Sequence, residues 1–501
     1  MDSMESETIQ SSVVTAVAQG CTALHSGDYD LGIICFTEAI QLDPKDANAY
    51  IFRGIAYDNK GEYDKAIKDY SGAVWFNPKN AEAYYNRGDA YSNKGDHDKA
   101  ITDLTEAIRL DPKDALSYYD RGWVYENKGN HDKAIADYTD AIRLNPKDAA
   151  AAYCNRGVAH RNKREFDKAI DDYTEAIRLA PMRSKWYISR AIVYQEMGNL
   201  DKVIADYTEA IRLDPKDALS YYFRGSAYGN KGNCGKAIAD YTEAIRLDSK
   251  YAKAYQARGD SYDNRGEFDK AIADYTDAIR LSPKDADAFS KRAVGYIKKG
   301  DLDKSISDCT EALRFNPRSA NAHGTRGCAY VKQREYEKAL ADFNEATRLD
   351  PKYFPVYYTR GLIWAKIYTD YDKAIADFTE AIRFNPKDAD CYCDRGLSLG
   401  EKGDLDKAIA DLNEAIQLDP KYDRAYGCRG VIYIHKFEYG KAITDFTQAI
   451  RLNPKCAQAY HGRGWVYEQI GENAKAEEDF NKAKVLGNNQ YEVSDGGSTV
   501  R

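Results

Sequence analysis

Few residues in this chain are spaced to do chemistry. The seven histidines, His25, His97, His131, His160, His323, His435 and His461, are far apart in sequence, and no two have the close spacing of metal ligands. Cys391 and Cys393 are two residues apart, so on a helix they point to different sides, and they have no second cysteine pair or nearby histidine to complete a metal site. Gly232-Asn233-Cys234-Gly235-Lys236-Ala237 has a superficial likeness to a phosphate loop. It lacks the glycine spacing and the hydroxyl residue after lysine, and no strand precedes it. Acidic pairs, as in the recurring Tyr-Thr-Glu-Ala, fall on the outer face of a helix, where a solvated charge is the ordinary reading. These residues therefore predict no catalytic, cofactor or metal site, and a protein that is not an enzyme. One charged combination does recur. Thirteen regularly spaced arginines, from Arg53 to Arg463, are each followed by an aspartate further on, from Asp69 to Asp479. A half-buried arginine needs a carboxylate partner, so the combination predicts structural ion pairs.

The elements that carry these residues follow from a period. Prolines mark it: Pro44, Pro78, Pro112, Pro146, Pro181, Pro215, Pro283, Pro317, Pro351, Pro386, Pro420 and Pro454, mostly 34 residues apart. A fixed period of this length means stacked supersecondary pieces in which each touches only its neighbours. Fourteen repeats span 13–490, from 13–46 to 457–490, between an acidic tail at 1–12 and a flexible tail at 491–501. Within a repeat, positions 4, 8 and 11 share one helical face, as in Tyr50, Gly54 and Tyr57. Positions 20, 24 and 27 do the same for a second helix, as in Ala66, Tyr70 and Ala73. Glycine at position 15 ends the first helix, and the proline turn ends the second. The expected repeat is helix, glycine turn, helix, proline turn, or about 28 helices in all. The arginine stands at position 7 and the aspartate at position 23, on facing helices. The pair is expected within a repeat or across to the next.

This pattern resembles the tetratricopeptide repeat: a large residue at 4, Gly at 8, Tyr at 11, Ala at 20, an aromatic at 24, Ala at 27 and Pro at 32. Arginine replaces the family's leucine at position 7. The resemblance implies an all-α, right-handed superhelical solenoid that binds partner peptides or proteins on a concave face lined by the first helices. Some members grip a chaperone's C-terminal carboxylate with Lys at 5 and Asn at 9. No repeat here has either, although Asn86 and Asn155 stand at position 6.

Inner positions of the first helices supply the candidate contacts: Tyr85, Tyr119 and Tyr222 at position 5, Asp89, Trp123 and Asp260 at position 9, and Asn93, Asn127, Asn230 and Asn264 at position 13. Exposed Tyr and Trp favour interfaces, and Asn can bond a peptide backbone without reading its sequence. The tyrosines would equally pack on the neighbouring repeat, and the asparagines would equally cap helix ends. Trp75 and Trp186 read as packing residues.

The 501 residues carry 72 basic and 80 acidic side chains, a net −8, with no basic block. This predicts no nucleic-acid partner. No apolar run is long enough for a membrane span, and the acidic start does not resemble a secretory signal. Ten cysteines that do not follow the period read as reduced thiols in a cytoplasmic protein. The expected function is a scaffold for partner proteins. Its alternatives are a self-assembling solenoid, including a homo-oligomer through an uncapped C-terminal repeat, and a regulatory subunit of an enzyme or small-molecule-responsive complex.

Overall fold

A computed structural model describes residues 2–487. Among them are twenty-eight helices and no strand, from Asp2–Ser26 to Asn473–Val485. They fall into fourteen helix-turn-helix pairs, such as Ala47–Asn59 with Tyr63–Phe76. The architecture is all-α. The chain divides into two compact units, Met1–Ala254 and Tyr255–Arg501, built by the same rules. The first helix reaches back to Asp2, so residues 2–12, expected as a tail, are helical. The expected tail 491–501, and with it the open face expected after 490, lie outside the described residues.

Local chemistry sets the helix ends. The repeat's last residue is often acidic and caps the next helix. Asp114 accepts from the backbone N–H groups of Leu116 and Ser117, both at 3.1 Å, satisfying donors that have no partner inside the helix. The first helix closes on a left-handed residue, as at Gly95 with φ +87°. Four repeats have no glycine there, and Arg164, Arg334, Thr369 and Phe437 take φ of 62°, 62°, 52° and 59° instead. The turn is kept even where the side chain disfavours it by about 1 kcal/mol.

Packing explains the glycine at position 8. The ring at position 24 lies flat against it: a Cβ on Gly54 would stand 2.5 Å from Tyr70, and one on Gly327 2.5 Å from Phe343. Ala66, Ala73 and Ala83 are fully buried beside Tyr70 in the N-terminal unit. Leu412, Ala415 and Ile432 form an equivalent core in the C-terminal unit. Cores of this kind are small, recurrent and local.

The recurrent arginine and aspartate meet in all thirteen repeats that carry them, and always within the repeat. Arg224 Nε and Nη2 donate to the two carboxylate oxygens of Asp240, both at 2.8 Å. Arg121 does the same to Asp137, and in the C-terminal unit Arg292 to Asp308 and Arg429 to Asp445. The third arm, Nη1, reaches the preceding repeat. Arg53 donates to Thr37, Arg121 to Thr105, Arg292 to Thr276 and Arg429 to Asn413. The guanidinium also lies over the tyrosine at position 4, as with Arg156 over Tyr153 at 5.3 Å. A second charged link, not foreseen from the sequence, joins Lys at position 14 to Asp at position 18 of the preceding repeat. Lys94 to Asp64 and Lys436 to Asp406 are both 2.5 Å.

The two kinds of pair differ in burial, so they differ in worth. The Asp240 side chain is 8% exposed, whereas that of Asp201, partner of Lys231, is 82% exposed. Asp240→Asn leaves a buried guanidinium short of its charge partner and should lower unfolding stability by about 2–4 kcal/mol. Asp201→Asn should lower it by less than about 1 kcal/mol. Urea titrations of both variants check this ordering, and equal midpoints would reject it.

Candidate functional site

Position 5 of one first helix faces position 6 of the next. In the N-terminal unit the Tyr85 hydroxyl donates to Asp120 at 2.7 Å, and Asn155 donates to the Tyr119 hydroxyl at 2.9 Å. Tyr222 packs on Phe223 and Tyr251, with ring centroids 5.3 and 5.0 Å away. All three tyrosines are half-buried. Their packing role is therefore real, and it fixes the rings in place.

The other candidates divide by exposure. Trp123 is 42% exposed, and Asn93, Asn127, Asn230 and Asn264 are exposed at or near the ends of their helices. Asn93 donates to Asp89 at 3.2 Å. In the C-terminal unit Asp260 accepts from the Tyr275 hydroxyl and from Lys291, each at 2.8 Å, so it is already paired. Trp186 packs in a core with Cys154, Tyr173 and Val193, as expected. Trp75 does not. It is 79% exposed, because position 29 of the second helix has turned away from the neighbouring repeat.

Charge on the first helices was only partly visible in the sequence. Asp58, Asp89 and Asp120, on helices Ala47–Asn59, Ala81–Lys94 and Ala115–Asn127, make a row of half-buried carboxylates. Burial pushes Asp58 up to about 6, and the Asp89 charge adds to it. Burial likewise pushes Asp120 up to about 6; the Tyr85 hydroxyl pulls it back, and Asp89 and Asp114 push it further. Asp89 is raised by burial and held back by Asn93. The signal that could have found Asp120 is the tyrosine at position 5 of the repeat before it.

No set of three or more His, Cys, Asp or Glu among the described residues could hold a metal ion. Cys391 and Cys393 do not act together; instead Cys393 sulfur lies 3.8 Å from that of Cys428 in the next repeat. No described helix is long and apolar enough to cross a membrane.

Family models of the tetratricopeptide repeat match residues 81–114, 115–148, 150–182, 184–217 and 320–353. Others match 54–95, 259–294 and 396–436, then 438–491, then 35–68 and 378–410, then 16–46 and 218–251. The chain belongs to the tetratricopeptide repeat family. The comparison with curated proteins found no match. Among solved structures, the array is similar to the APC/C hetero-tetramer Cut9–Hcn1, at 18% identity over 90% of this chain and 96% of that one, with TM-score 0.40. MamA is 29% identical over 35% of this chain and 94% of its own, with TM-score 0.32. YrrB, titled a protein with an unusual peptide-binding site, is 24% identical over 38% of this chain and 97% of its own, with TM-score 0.36. Tetratricopeptide repeats are scaffolds for protein–protein contact, and this array is built of such repeats.

The raised carboxylate in this array makes a prediction with a definite sign. A carboxyl whose pKa rises on folding favours the fold while protonated, and that contribution is lost as pH rises through about 6. Asp120→Asn keeps an acceptor for Tyr85 and removes the buried charge. At pH 7 it should raise stability by roughly 1 kcal/mol, after allowance for partial exposure. By pH 3.5, below the ordinary aspartate pKa, the gain should vanish. Thermal melts at the two pH values check this; a gain that is the same at both would contradict the assignment.

Proposed function

We propose that this protein is a non-enzymatic scaffold that binds partner peptides or proteins on the face made by its first helices, the concave face of the family's superhelix. The observation that supports this reading best is Trp123. A large aromatic stays 42% exposed on helix Ala115–Asn127, while the tyrosines beside it, Tyr85 and Tyr119, are held by hydrogen bonds. Rigid rings around an exposed indole offer contact area with little side-chain entropy left to lose on binding. Asn127, one turn on along the same helix, and Asn93 on the preceding first helix are exposed amide groups able to bond a peptide backbone. The carboxylate row of Asp58, Asp89 and Asp120 favours a cationic segment along the same helices.

Trp75 supplies an internal control, since it is more exposed but lies on a second helix. Partners captured from native lysate should be retained by wild type and by Trp75→Ala. They should weaken about tenfold or more with Trp123→Ala, the usual loss for a central aromatic anchor. Retention unchanged by Trp123→Ala but lost with Trp75→Ala would move the binding surface to the second helices.

A further inference from the structure

The junction between position 5 of one repeat and position 6 of the next is filled in different ways along the chain. Tyr85 meets Asp120, Tyr119 meets Asn155, and in the C-terminal unit the Tyr358 hydroxyl donates to Asp394 at 2.7 Å. Cys393 and Cys428 fill the same place at another junction, with Tyr422 packed beside them. Where position 5 is Gly324, the ring of Tyr353, at position 34 of that repeat, lies against it.

At the last junction all three of these positions are small. Position 5 is Gly427, position 34 is Cys456, and position 6 of the next repeat is Gly462. No other junction has glycine at both positions 5 and 6. A cavity of about 280 Å³ results, between helices Asp423–His435, Tyr439–Leu452 and Ala457–Gln469. Phe446 forms one wall, so close to Gly462 that a Cβ there would stand 2.6 Å from its ring. A Cβ on Gly427 would meet nothing within 4 Å. The space is ample for an aromatic ring, since a cavity of about 150 Å³ suffices for benzene.

We propose that this cavity takes a phenylalanine or tyrosine side chain from a bound peptide, seated where the chain's own tyrosine sits at other junctions. The proposal rests on the reading of the first-helix face as a peptide-binding face and gives it a specificity. The rim adds a preference for flanking charge. Arg424 is bound by Asp394 and lies 4.0 Å from Asp390, while Asp423 accepts from Asn453 at 2.8 Å. Arg424 is thus already neutralised by two carboxylates, and the Asp423 carboxylate, which lines the cavity beside it, favours lysine or arginine next to the aromatic residue.

The chain carries its own means of testing this, because Gly427→Tyr supplies the missing tyrosine in open space and Cys456 lines the cavity as a free thiol. Two probes are used on the full chain. Phenethyl and isobutyl disulfides compete for Cys456, with capture located by peptide mapping. Peptide pools with a fixed Lys-Phe-Lys or Lys-Ala-Lys centre are compared for retention. The expected result is at least tenfold preference for the phenethyl group and for the Lys-Phe-Lys pool, both lost in Gly427→Tyr with an unchanged melting curve. Absence of aromatic preference at Cys456, or its persistence in Gly427→Tyr, overturns the cavity as an aromatic site. Aromatic capture that Gly427→Tyr abolishes, with neither pool retained, overturns the peptide as its source and with it the peptide-binding reading of this face. If Gly427→Tyr fails to fold, Gly427→Leu is the plug, and the same outcomes decide.

Discussion

The buried arginine–aspartate pair is the interaction on which the stack depends. A guanidinium spends two arms on the aspartate of its own repeat and, in most repeats, a third on a hydroxyl or amide of the repeat before it, as Arg121 does with Asp137 and Thr105. A charge this far from water must be neutralised nearby. In a chain whose repeats touch only their neighbours, the partner has to come from the same repeat or the next one. The pair therefore has to recur wherever the arginine does. The first repeat has Gln19 and Cys35 at the two positions, so it lacks both members of the pair together.

With spacing and pairing fixed this way, the remaining first-helix positions are free to vary without disturbing the stack. The junction between positions 5 and 6 shows the range. It holds a tyrosine and a carboxylate, a tyrosine and an amide, two thiols, or two glycines and a cavity, all on the same backbone geometry. The half-buried carboxylates of the N-terminal unit belong to the same variation. Burial there raises the acid pKa, and the neighbouring Asp89 charge adds to it at both Asp58 and Asp120.

The structure departs from the sequence expectation for two physical reasons. Position in a repeat tells which face a residue lies on, but burial also depends on the size of what stands opposite. Trp75 sits on a second helix and was read as packing, yet nothing opposite covers it. Tyr85, Tyr119 and Tyr222 were open to two readings, and contacts across the junction show that they pack. The segment 2–12 continues a helix because its composition does not break one, and the repeat pattern, which begins at 13, carries no information about it.

By itself the sequence determined the helices, their glycine and proline punctuation, the small residues between them and the need for each arginine to meet an aspartate. All of these follow from spacings within one repeat, where neighbours in sequence are neighbours in space. Only the tertiary structure decided that the pair closes within a repeat and not across it, that the third arm of the arginine reaches back, and that Lys94 meets Asp64. It alone decided that three aspartates lose water together and that Gly427 and Gly462 open one cavity. These depend on which side chains from successive repeats share a junction, and thus on how one helix pair is seated on the next.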